Sequence, residues 1–352
     1  MMKVGLLTSG GDCQGLNAVL RGVAKTLFGC IPDLELYGIV DGYRGLIEGE
    51  WRKMGPEEFS GILRQGGTIL GTSRQPFKEM QTPNENNTNK LDMMLENYKK
   101  HCFDAIVIIG GNGTHKTAYL LSQNGVNVVT IPKTIDNDVF GTDLTFGFDS
   151  AVEKATCVID AIHTTAASHG RVFVIELMGH KVGWITLCAG IAGGADVILI
   201  PEIPYDPEKV VQAIEQRNRQ GKNFSIIVIA EGALTKEEAD LPKKERNNLY
   251  LSPGNRLANA LANQLDQDVR AIIPGHFQRG GDPTSTDRLL CSRFGAVAGE
   301  LVKKGKFGNM VALRGTEIVP VPLGDVAGKL KNIPEDSEFL KQARMLGISL
   351  GV

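Results

Sequence analysis

Short apolar runs alternate with helix-like stretches along most of this chain, and this alternation constrains the fold more than any other feature. The stretches GLNAVLRGVAKTLF and DPEKVVQAIEQRNRQG, for example, repeat apolar residues with the period of an α-helix. Strands that alternate with helices form parallel βαβ units, and strands apolar on both sides suit a sheet covered by helices on both faces. The pattern predicts an α/β fold with strands at 3–8, 34–40, 104–109, 126–131, 171–177, 196–200, 224–230 and 269–273.

Length and charge narrow the class of protein further. The chain has 352 residues, enough for two domains that each bury a core of their own. Its net charge of -2 and the lack of a basic block predict no nucleic-acid partner. The first apolar run meets Gly10-Gly11-Asp12 too early for a signal peptide, and no apolar run approaches the roughly 18 residues of a membrane span. The six cysteines are widely spaced and suit reduced thiols, so we expect a cytoplasmic protein without membrane contact.

Two glycine-rich turns follow predicted strands, at Gly10-Gly11 and at Gly110-Gly111 with Gly113. In a parallel sheet, ligands bind beyond the carboxyl ends of the strands, where backbone N–H groups and helix N-termini meet an anion. Neither turn has the spacing of a Walker A loop. A single turn of this kind is often only a tight connection, but two at neighbouring strand ends favour a phosphate-binding site.

The segment IPKTIDND combines an ammonium, a hydroxyl and two carboxylates directly after another predicted strand. These groups belong to Lys133, Thr134, Asp136 and Asp138. Carboxylates at this spacing can accept a proton from an attacking hydroxyl or orient a metal ion. The alternative is a plain turn, for which Asn and Asp are favoured residues.

Arginines cluster near other predicted strand ends and turns. Arg270, His276 and Arg279 lie in VRAIIPGHFQRGG, Arg74 lies in LGTSRQ, and Arg171 lies in SHGRVFVIELMGH. Arginine is suited to bidentate recognition of phosphate. These anion-binding groups exceed the number that one phosphate requires.

Taken together and in this order, SGGDCQGLNA, GTSR, GGNGT, PKTIDND, ELMGH, AEG and PGHFQRGG resemble the phosphofructokinase family along nearly the whole chain. The resemblance implies two doubly wound, Rossmann-like parallel-sheet domains that face each other across a cleft. It implies a phosphoryl-donor domain of residues 1–147 and about 278–328, and a fructose 6-phosphate domain of residues 148–277 plus the C-terminal tail. The expected glycolytic reaction transfers a phosphoryl group from ATP to the 1-hydroxyl of fructose 6-phosphate, which gives fructose 1,6-bisphosphate.

The resemblance also implies roles for the residues in these motifs. Asp136 is the expected general base, with Thr134 and Lys133 beside it, and Asp138 and Asn112 are expected near a Mg2+ ion. The expected donor-phosphate residues are Gly11, Arg74, Gln75, Gly111, Asn112, Gly113 and Thr114. The expected sugar-phosphate residues are Thr134, Asp136, Arg171, Met178, Gly179, His180, Glu231, Arg270, His276 and Arg279.

The family's arrangement also implies a homo-oligomer. Arg171 and Arg270 match arginines that reach the 6-phosphate bound by a neighbouring subunit, so each active site is shared. A tetramer is the usual small form in the family, and we expect one here.

Two positions bear on the choice of phosphoryl donor. Gly113 resembles the ATP-dependent enzymes, because pyrophosphate-dependent ones tend to carry an Asp there that would repel the α-phosphate. Lys133 resembles the pyrophosphate-dependent enzymes, and Thr117 replaces a Gly that is common beside the nucleotide in bacterial ATP enzymes. The combination of Gly113 and Lys133 is that of a mixed branch of the family. We predict ATP, with pyrophosphate as the alternative.

Two departures from the family pattern weaken individual interactions. Asn112 stands where an acidic residue is common near the magnesium, so it contributes an amide oxygen without a charge. His180 replaces the Arg of an MGR pattern, so one positive charge is lost or depends on pH. These departures motivate the alternative of a non-catalytic sugar-phosphate sensor. A second alternative is an NAD or diacylglycerol kinase, but such an enzyme would not account for the segment PGHFQRGG. Sedoheptulose 7-phosphate stays open as a second phosphoryl acceptor.

Overall fold

The computed structural model describes residues 1–83, 87–246 and 248–352. The chain divides into two compact units. Unit 1 comprises Met1–Ser150 and Arg279–Lys331, and unit 2 comprises Ala151–Gln278 and Asn332–Val352.

Strands and helices alternate through both units. The strands are β1 (Met2–Thr8), β2 (Leu34–Ile39), β3 (Trp51–Met54), β4 (Ala105–Gly110), β5 (Val128–Pro132), β6 (Val172–Leu177), β7 (Val197–Leu199), β8 (Ser225–Ala230), β9 (Val269–Ile272), β10 (Asn309–Arg314) and β11 (Glu317–Pro322). The helices are α1 (Leu16–Cys30), α2 (Tyr43–Glu48), α3 (Lys90–His101), α4 (Asn112–Gln123), α5 (Phe148–His169), α6 (Trp184–Ala192), α7 (Pro207–Arg219), α8 (Lys236–Asp240), α9 (Lys243–Arg246), α10 (Pro253–Ala262), α11 (Ser285–Lys303), α12 (Leu323–Val326) and α13 (Glu338–Met345). Short 3-10 turns occur at Pro56–Phe59, Ile62–Arg64, Phe77–Glu79 and Gly275–Arg279.

Unit 1 is built on a seven-stranded sheet with the order β11-β10-β5-β4-β1-β2-β3. Its inner strands are parallel, as predicted, but β3 and β11 pair antiparallel with their neighbours at the two edges. The turn Gly315-Thr316 joins β10 to β11, and a connection this short can only reverse the chain. The two antiparallel edge strands are therefore additions to the predicted parallel sheet.

Unit 2 holds a four-stranded parallel sheet with the order β7-β8-β6-β9. Every residue of β6 and β8 is buried, which explains why these strands are continuous apolar runs in the sequence rather than alternating ones. The predicted α/β class is confirmed. The pattern missed β3, β10 and β11. Strands β3 and β11 are partly exposed edge strands, and β11 carries two prolines that only an edge tolerates. Strand β10 lies next to β11 and is buried except at its two ends.

Among the described residues, no helix is both long and apolar enough to cross a bilayer.

Helices α1 and α11 of unit 1 pack at backbone contact. A Cβ added to Gly295 would lie 2.6 Å from the Val23 nitrogen and 2.8 Å from the Gly22 Cα. Only glycine allows this approach, because the neighbouring atoms are backbone and have no rotamer to change. The glycine pair therefore sets the distance between two helices of unit 1.

The variant Gly295→Ala tests this contact. We expect it to lower the free energy of unfolding by about 1–3 kcal/mol, because the new methyl group forces the two helices apart. Urea unfolding followed by circular dichroism measures the change.

Gly29→Ala in helix α1 is the matched control. A Cβ at Gly29 would meet no atom within 4 Å, so the same substitution should be neutral or stabilise by about 0.5–1 kcal/mol. Equal unfolding midpoints for the two variants would contradict the close-packing argument.

Candidate active site

Three loops of unit 1 begin at one edge of its sheet. Strands β5, β4 and β1 are parallel neighbours, so their carboxyl ends meet there, and the loops start at Lys133, Gly111 and Ser9. The Ser9 N–H donates to the Ile109 carbonyl at 2.9 Å, and the Lys133 N–H donates to the Gly110 carbonyl at 2.9 Å. The structure thus brings together the two glycine-rich turns and the PKTIDND segment.

The second glycine turn is shorter than the sequence suggested. Helix α4 begins at Asn112, directly after Gly111, so Asn112, Gly113 and Thr114 form its first turn. Its N-cap residue, Gly111, has no side chain that could cap the helix, and the first turn contains no acidic residue. The N-terminal N–H groups and the positive end of the helix dipole therefore lie at the site edge, where an anion is stabilised. A Cβ added to Gly113 would meet no atom of the described residues within 4 Å.

Lys133 places a positive charge beneath the first glycine turn. Its side chain is buried, and its ammonium donates a hydrogen bond to the Gly11 carbonyl. Burial lowers the pKa of Lys133, and the nearby Arg279 guanidinium lowers it further. A partly desolvated cation held by a backbone carbonyl is well placed to attract a phosphate group.

Two guanidinium groups converge on Gly11. A Cβ at this position would lie 3.1 Å from Nη1 of Arg279 and 3.3 Å from Nη2 of Arg74. Arg279 also donates to the Asp12 carbonyl at 3.0 Å. The sequence placed Arg279 with the sugar-phosphate residues, whereas the structure puts its guanidinium beside the donor turn. Gln75 is half-buried and accepts a hydrogen bond from Lys90 at 2.8 Å.

The PKTIDND segment forms a compact turn with its two carboxylates on either side of Asn137. The Thr134 hydroxyl accepts a hydrogen bond from the Asp136 N–H at 3.1 Å, and the Thr134 carbonyl accepts one from the Thr145 hydroxyl at 2.8 Å. Asn137 has a φ of 52°, a left-handed conformation that Asn tolerates better than most residues. This residue reverses the chain between Asp136 and Asp138.

Asn112 and Asp138 are in direct contact. The Asn112 amide Nδ2 donates to Oδ2 of Asp138 at 2.8 Å and to its carbonyl at 3.0 Å. The amide oxygen of the same side chain, Oδ1 of Asn112, is buried and has no hydrogen-bond partner among the described residues. A carboxylate at position 112 would repel Asp138 at this distance, so the amide stabilises the pair without a cation.

Glu231 organises the carboxyl edge of the unit 2 sheet. Its Oε1 accepts hydrogen bonds from the N–H groups of Gly179 at 3.3 Å and His180 at 2.7 Å. The neighbouring Met178 N–H donates to the Gln278 side chain at 3.2 Å. Four of the predicted sugar-phosphate residues therefore lie together after strands β6 and β8. His276 is exposed on the 3-10 turn that follows β9.

Arg171 and Arg270 lie at the other edge of the same sheet. Oδ2 of Asp268 accepts from Nε of Arg171 at 2.8 Å and from Nη2 of Arg270 at 3.0 Å. Arg171 precedes strand β6 and Met178 follows it, which puts their backbones about 23 Å apart at about 3.3 Å per residue. The structure does not bring these arginines to the predicted sugar residues of their own unit.

Comparison with known proteins decides the family. A family model described as "Phosphofructokinase" matches residues 3–302, which is most of the chain. The chain belongs to the phosphofructokinase family. The ATP-dependent 6-phosphofructokinase of Spirochaeta thermophila is 51% identical over 99% of this chain and 97% of its own length. The ATP-dependent 6-phosphofructokinase 3 of Bacteroides thetaiotaomicron is 46% identical over 99% of this chain and 100% of its own.

Solved structures of the phosphofructokinase family share the fold. The T-state crystal structure of Pichia pastoris phosphofructokinase matches 92% of this chain with a TM-score of 0.81 and 29% identity. This chain spans only 35% of that longer chain.

Sequence reasoning missed Lys331, which contacts the PKTIDND segment of this phosphofructokinase-family chain. Its ammonium donates to Oδ1 of Asn137 at 2.7 Å, and burial lowers its pKa to about 8. Lys331 lies 194 residues after its partner Asn137 in the sequence. Its surroundings, GKLKNIP, carry no signal that separates it from an ordinary surface lysine. Asp268 was missed as well, although its position one residue before the start of β9 and two before Arg270 was a usable hint.

The variant Gly113→Asp tests whether the α4 N-terminus binds the donor. The site is open, and an acidic residue in a first helical turn is favourable, so we expect no loss of unfolding free energy. The added charge should weaken ATP binding at least tenfold, because a carboxylate then competes with the phosphates for the same N–H groups. Isothermal titration calorimetry measures the affinity.

Gln123→Glu adds the same charge at the opposite, exposed end of the same helix. This control should bind ATP as the unmodified protein does. Equal ATP affinity in Gly113→Asp and Gln123→Glu would exclude the α4 N-terminus as the phosphate site.

Proposed function

We propose that the protein is an ATP-dependent 6-phosphofructokinase that phosphorylates the 1-hydroxyl of fructose 6-phosphate. The observation that carries the proposal is the clustering of groups at one edge of the unit 1 sheet. The uncapped N-terminus of α4, the buried Lys133 and the guanidinium groups of Arg74 and Arg279 supply positive charge there, next to Asp136. Phosphoryl transfer depends on positioning and charge stabilisation more than on covalent chemistry, and this arrangement supplies both.

The choice of ATP as donor has two supports. The relatives that are 51% and 46% identical over nearly their full length carry the name ATP-dependent 6-phosphofructokinase. Gly113 also leaves open space in the first turn of α4, as a nucleotide with an α-phosphate requires. Pyrophosphate is the second candidate donor, because the Lys133 ammonium beneath Gly11 would also hold a small dianionic group.

Asp136 is the proposed general base. Its carboxylate takes the proton from the sugar 1-hydroxyl as that oxygen bonds to the γ-phosphorus and the bond from the γ-phosphorus to ADP breaks. Thr134 supports the residue through its hydroxyl, which accepts the Asp136 N–H at 3.1 Å. Lys133, Arg74 and Arg279 are proposed to stabilise the negative charge on the phosphoryl group and on the departing ADP.

The residues around Asp138 fit a Mg2+ ion that is bound mainly by the phosphate groups of the donor. Magnesium prefers oxygen ligands, and the Asp138 carboxylate and the buried Oδ1 of Asn112 are oxygen donors at the site. In the described part of the chain there is no group of three or more His, Cys, Asp or Glu residues that could hold a metal ion. When bound, the ion would neutralise phosphate charge. We propose that phosphate oxygens supply most of its ligands.

Fructose 6-phosphate is proposed to bind at the carboxyl edge of the unit 2 sheet. Glu231 is fixed there by the N–H groups of Gly179 and His180, so its remaining oxygen is available to a sugar hydroxyl. Met178 and His276 are proposed to complete the pocket. His180 takes the place of an arginine, so the pocket lacks one planar guanidinium that could bind a phosphate bidentately.

A shared active site in a homo-oligomer, with a tetramer as the expected form, is part of the proposal. Arg171 and Arg270 both pair with Asp268 at the amino edge of the sheet, and the backbone of Arg171 lies about 23 Å from Met178 of the proposed sugar pocket. Arginines this far from the pocket of their own subunit can contact a sugar phosphate only when it is bound by another subunit. The cytoplasmic location expected from the sequence stays a prediction.

Initial rates test the donor. We expect the purified protein to phosphorylate fructose 6-phosphate with Mg2+ and ATP, and to do so much faster than with pyrophosphate at equal concentration. The production of fructose 1,6-bisphosphate, followed in a coupled assay, measures both rates. A large preference for pyrophosphate would contradict the role given to Gly113, and no turnover with either donor would contradict the kinase itself.

The variant Asp136→Asn tests the base and the alternative of a non-catalytic sensor. We expect kcat to fall by about 10²–10⁴-fold, because the amide cannot take the hydroxyl proton, while fructose 6-phosphate still binds. Asp325→Asn, an exposed position of α12, is the control and should keep full activity. An Asp136→Asn enzyme with unchanged kcat would rule out this residue as the base.

A further inference from the structure

Lys331 has an unusual environment for a lysine. It is the last residue of unit 1, and it is half-buried. It donates to Oδ1 of Asn137 at 2.7 Å, to the Asp143 carbonyl at 2.9 Å and to the Thr142 carbonyl at 3.0 Å. An ammonium has three N–H donors, and these three oxygens match that number.

The backbone next to Lys331 is held by the same loop. The Lys331 N–H donates to the Asp138 carbonyl at 2.9 Å, and Leu330 forms an antiparallel bridge with Val139. Residues 330–331 thus pair with residues 138–139 as a very short strand. The side chain therefore starts from a fixed backbone position, and little rotamer freedom is left for its ammonium.

Asn137 links the Lys331 ammonium to the residues Asp136 and Asp138 on either side of it. Its side chain is buried, and its Oδ1 accepts a second hydrogen bond from the Thr145 N–H at 3.1 Å. Its left-handed backbone, with a φ of 52°, turns the chain between Asp136 and Asp138. A shift of this one side chain would change the direction in which both carboxylates leave the loop.

We propose that Lys331 is a positioning residue for phosphoryl transfer, which holds Asn137 and thereby keeps Asp136 and Asp138 in the reactive arrangement. The inference rests on the proposed function of this loop. The acceptors of the Lys331 ammonium named above belong to residues 137–143, so these three hydrogen bonds hold that loop. Lys331 itself touches neither the sugar nor the donor in this scheme.

The test compares Lys331→Met, Lys331→Arg and the matched control Lys306→Met, at an exposed lysine of unit 1. Lys331→Met should lower kcat on the order of 10²-fold, because small displacements of catalytic groups cost about that much. The KM values for fructose 6-phosphate and ATP should change less than about threefold, since the binding groups stay in place. Lys331→Arg should recover most of kcat, because a guanidinium still donates to the loop. Lys306→Met should behave as the unmodified enzyme.

A double-mutant cycle with Asn137→Gly tests whether Lys331 acts through Asn137. Glycine keeps the left-handed backbone and removes Oδ1, so Lys331→Met should cost much less kcat in this background than alone. Fully additive losses would overturn the proposed route.

The outcomes separate this inference from the proposed function. If the unmodified protein turns over and Lys331→Met stays within about twofold in kcat, the inference is wrong and the kinase stands. If Lys331→Met does not fold, the kcat values of Lys331→Arg and Asn137→Gly test the inference in its place. An unchanged kcat in Asn137→Gly then contradicts the inference. Absence of turnover in the unmodified protein contradicts the proposed function instead.

Discussion

The parallel pairing of β1, β4 and β5 is the constraint on which the unit 1 site depends. Because these strands run side by side in the same direction, the loops that follow them begin at one edge. The backbone bonds from Ser9 to Ile109 and from Lys133 to Gly110 hold the loops in register. This pairing alone brings together an uncapped helix N-terminus, a glycine turn and a pair of carboxylates. No bound ligand is needed to assemble them.

Backbone carbonyls hold three cations near the loops of the unit 1 site in place. Lys133 donates to the Gly11 carbonyl, Arg279 to the Asp12 carbonyl and Lys331 to the carbonyls of Thr142 and Asp143. A carbonyl satisfies a donor but does not neutralise its charge. These cations therefore keep their positive charge, which can stabilise a phosphoryl group. The Asn112 amide, which contacts Asp138 without adding a carboxylate, has the same effect on the charge balance.

Most of the candidate site could be predicted because its residues are local to strand ends. The glycine turns and the PKTIDND segment each carry their chemistry within a few residues, and the carboxyl-edge rule predicts that they meet. Arg279 and Lys331 could not be placed in this way. Their partners, Asp12 and Asn137, lie 267 and 194 residues away, and no periodicity in the sequence connects them. The antiparallel edge strands were missed because they are short or partly exposed.

The sequence by itself determined the α/β class, the parallel cores of both sheets and the residue types at each strand end, because these follow from local apolar patterning and turn chemistry. Only the tertiary structure decided which distant cations support those loops. It also decided that α4 begins directly at Asn112, and that Asn112 pairs with Asp138. Such contacts join residues far apart in the chain, and their geometry depends on how helices and sheet pack rather than on any short stretch of sequence.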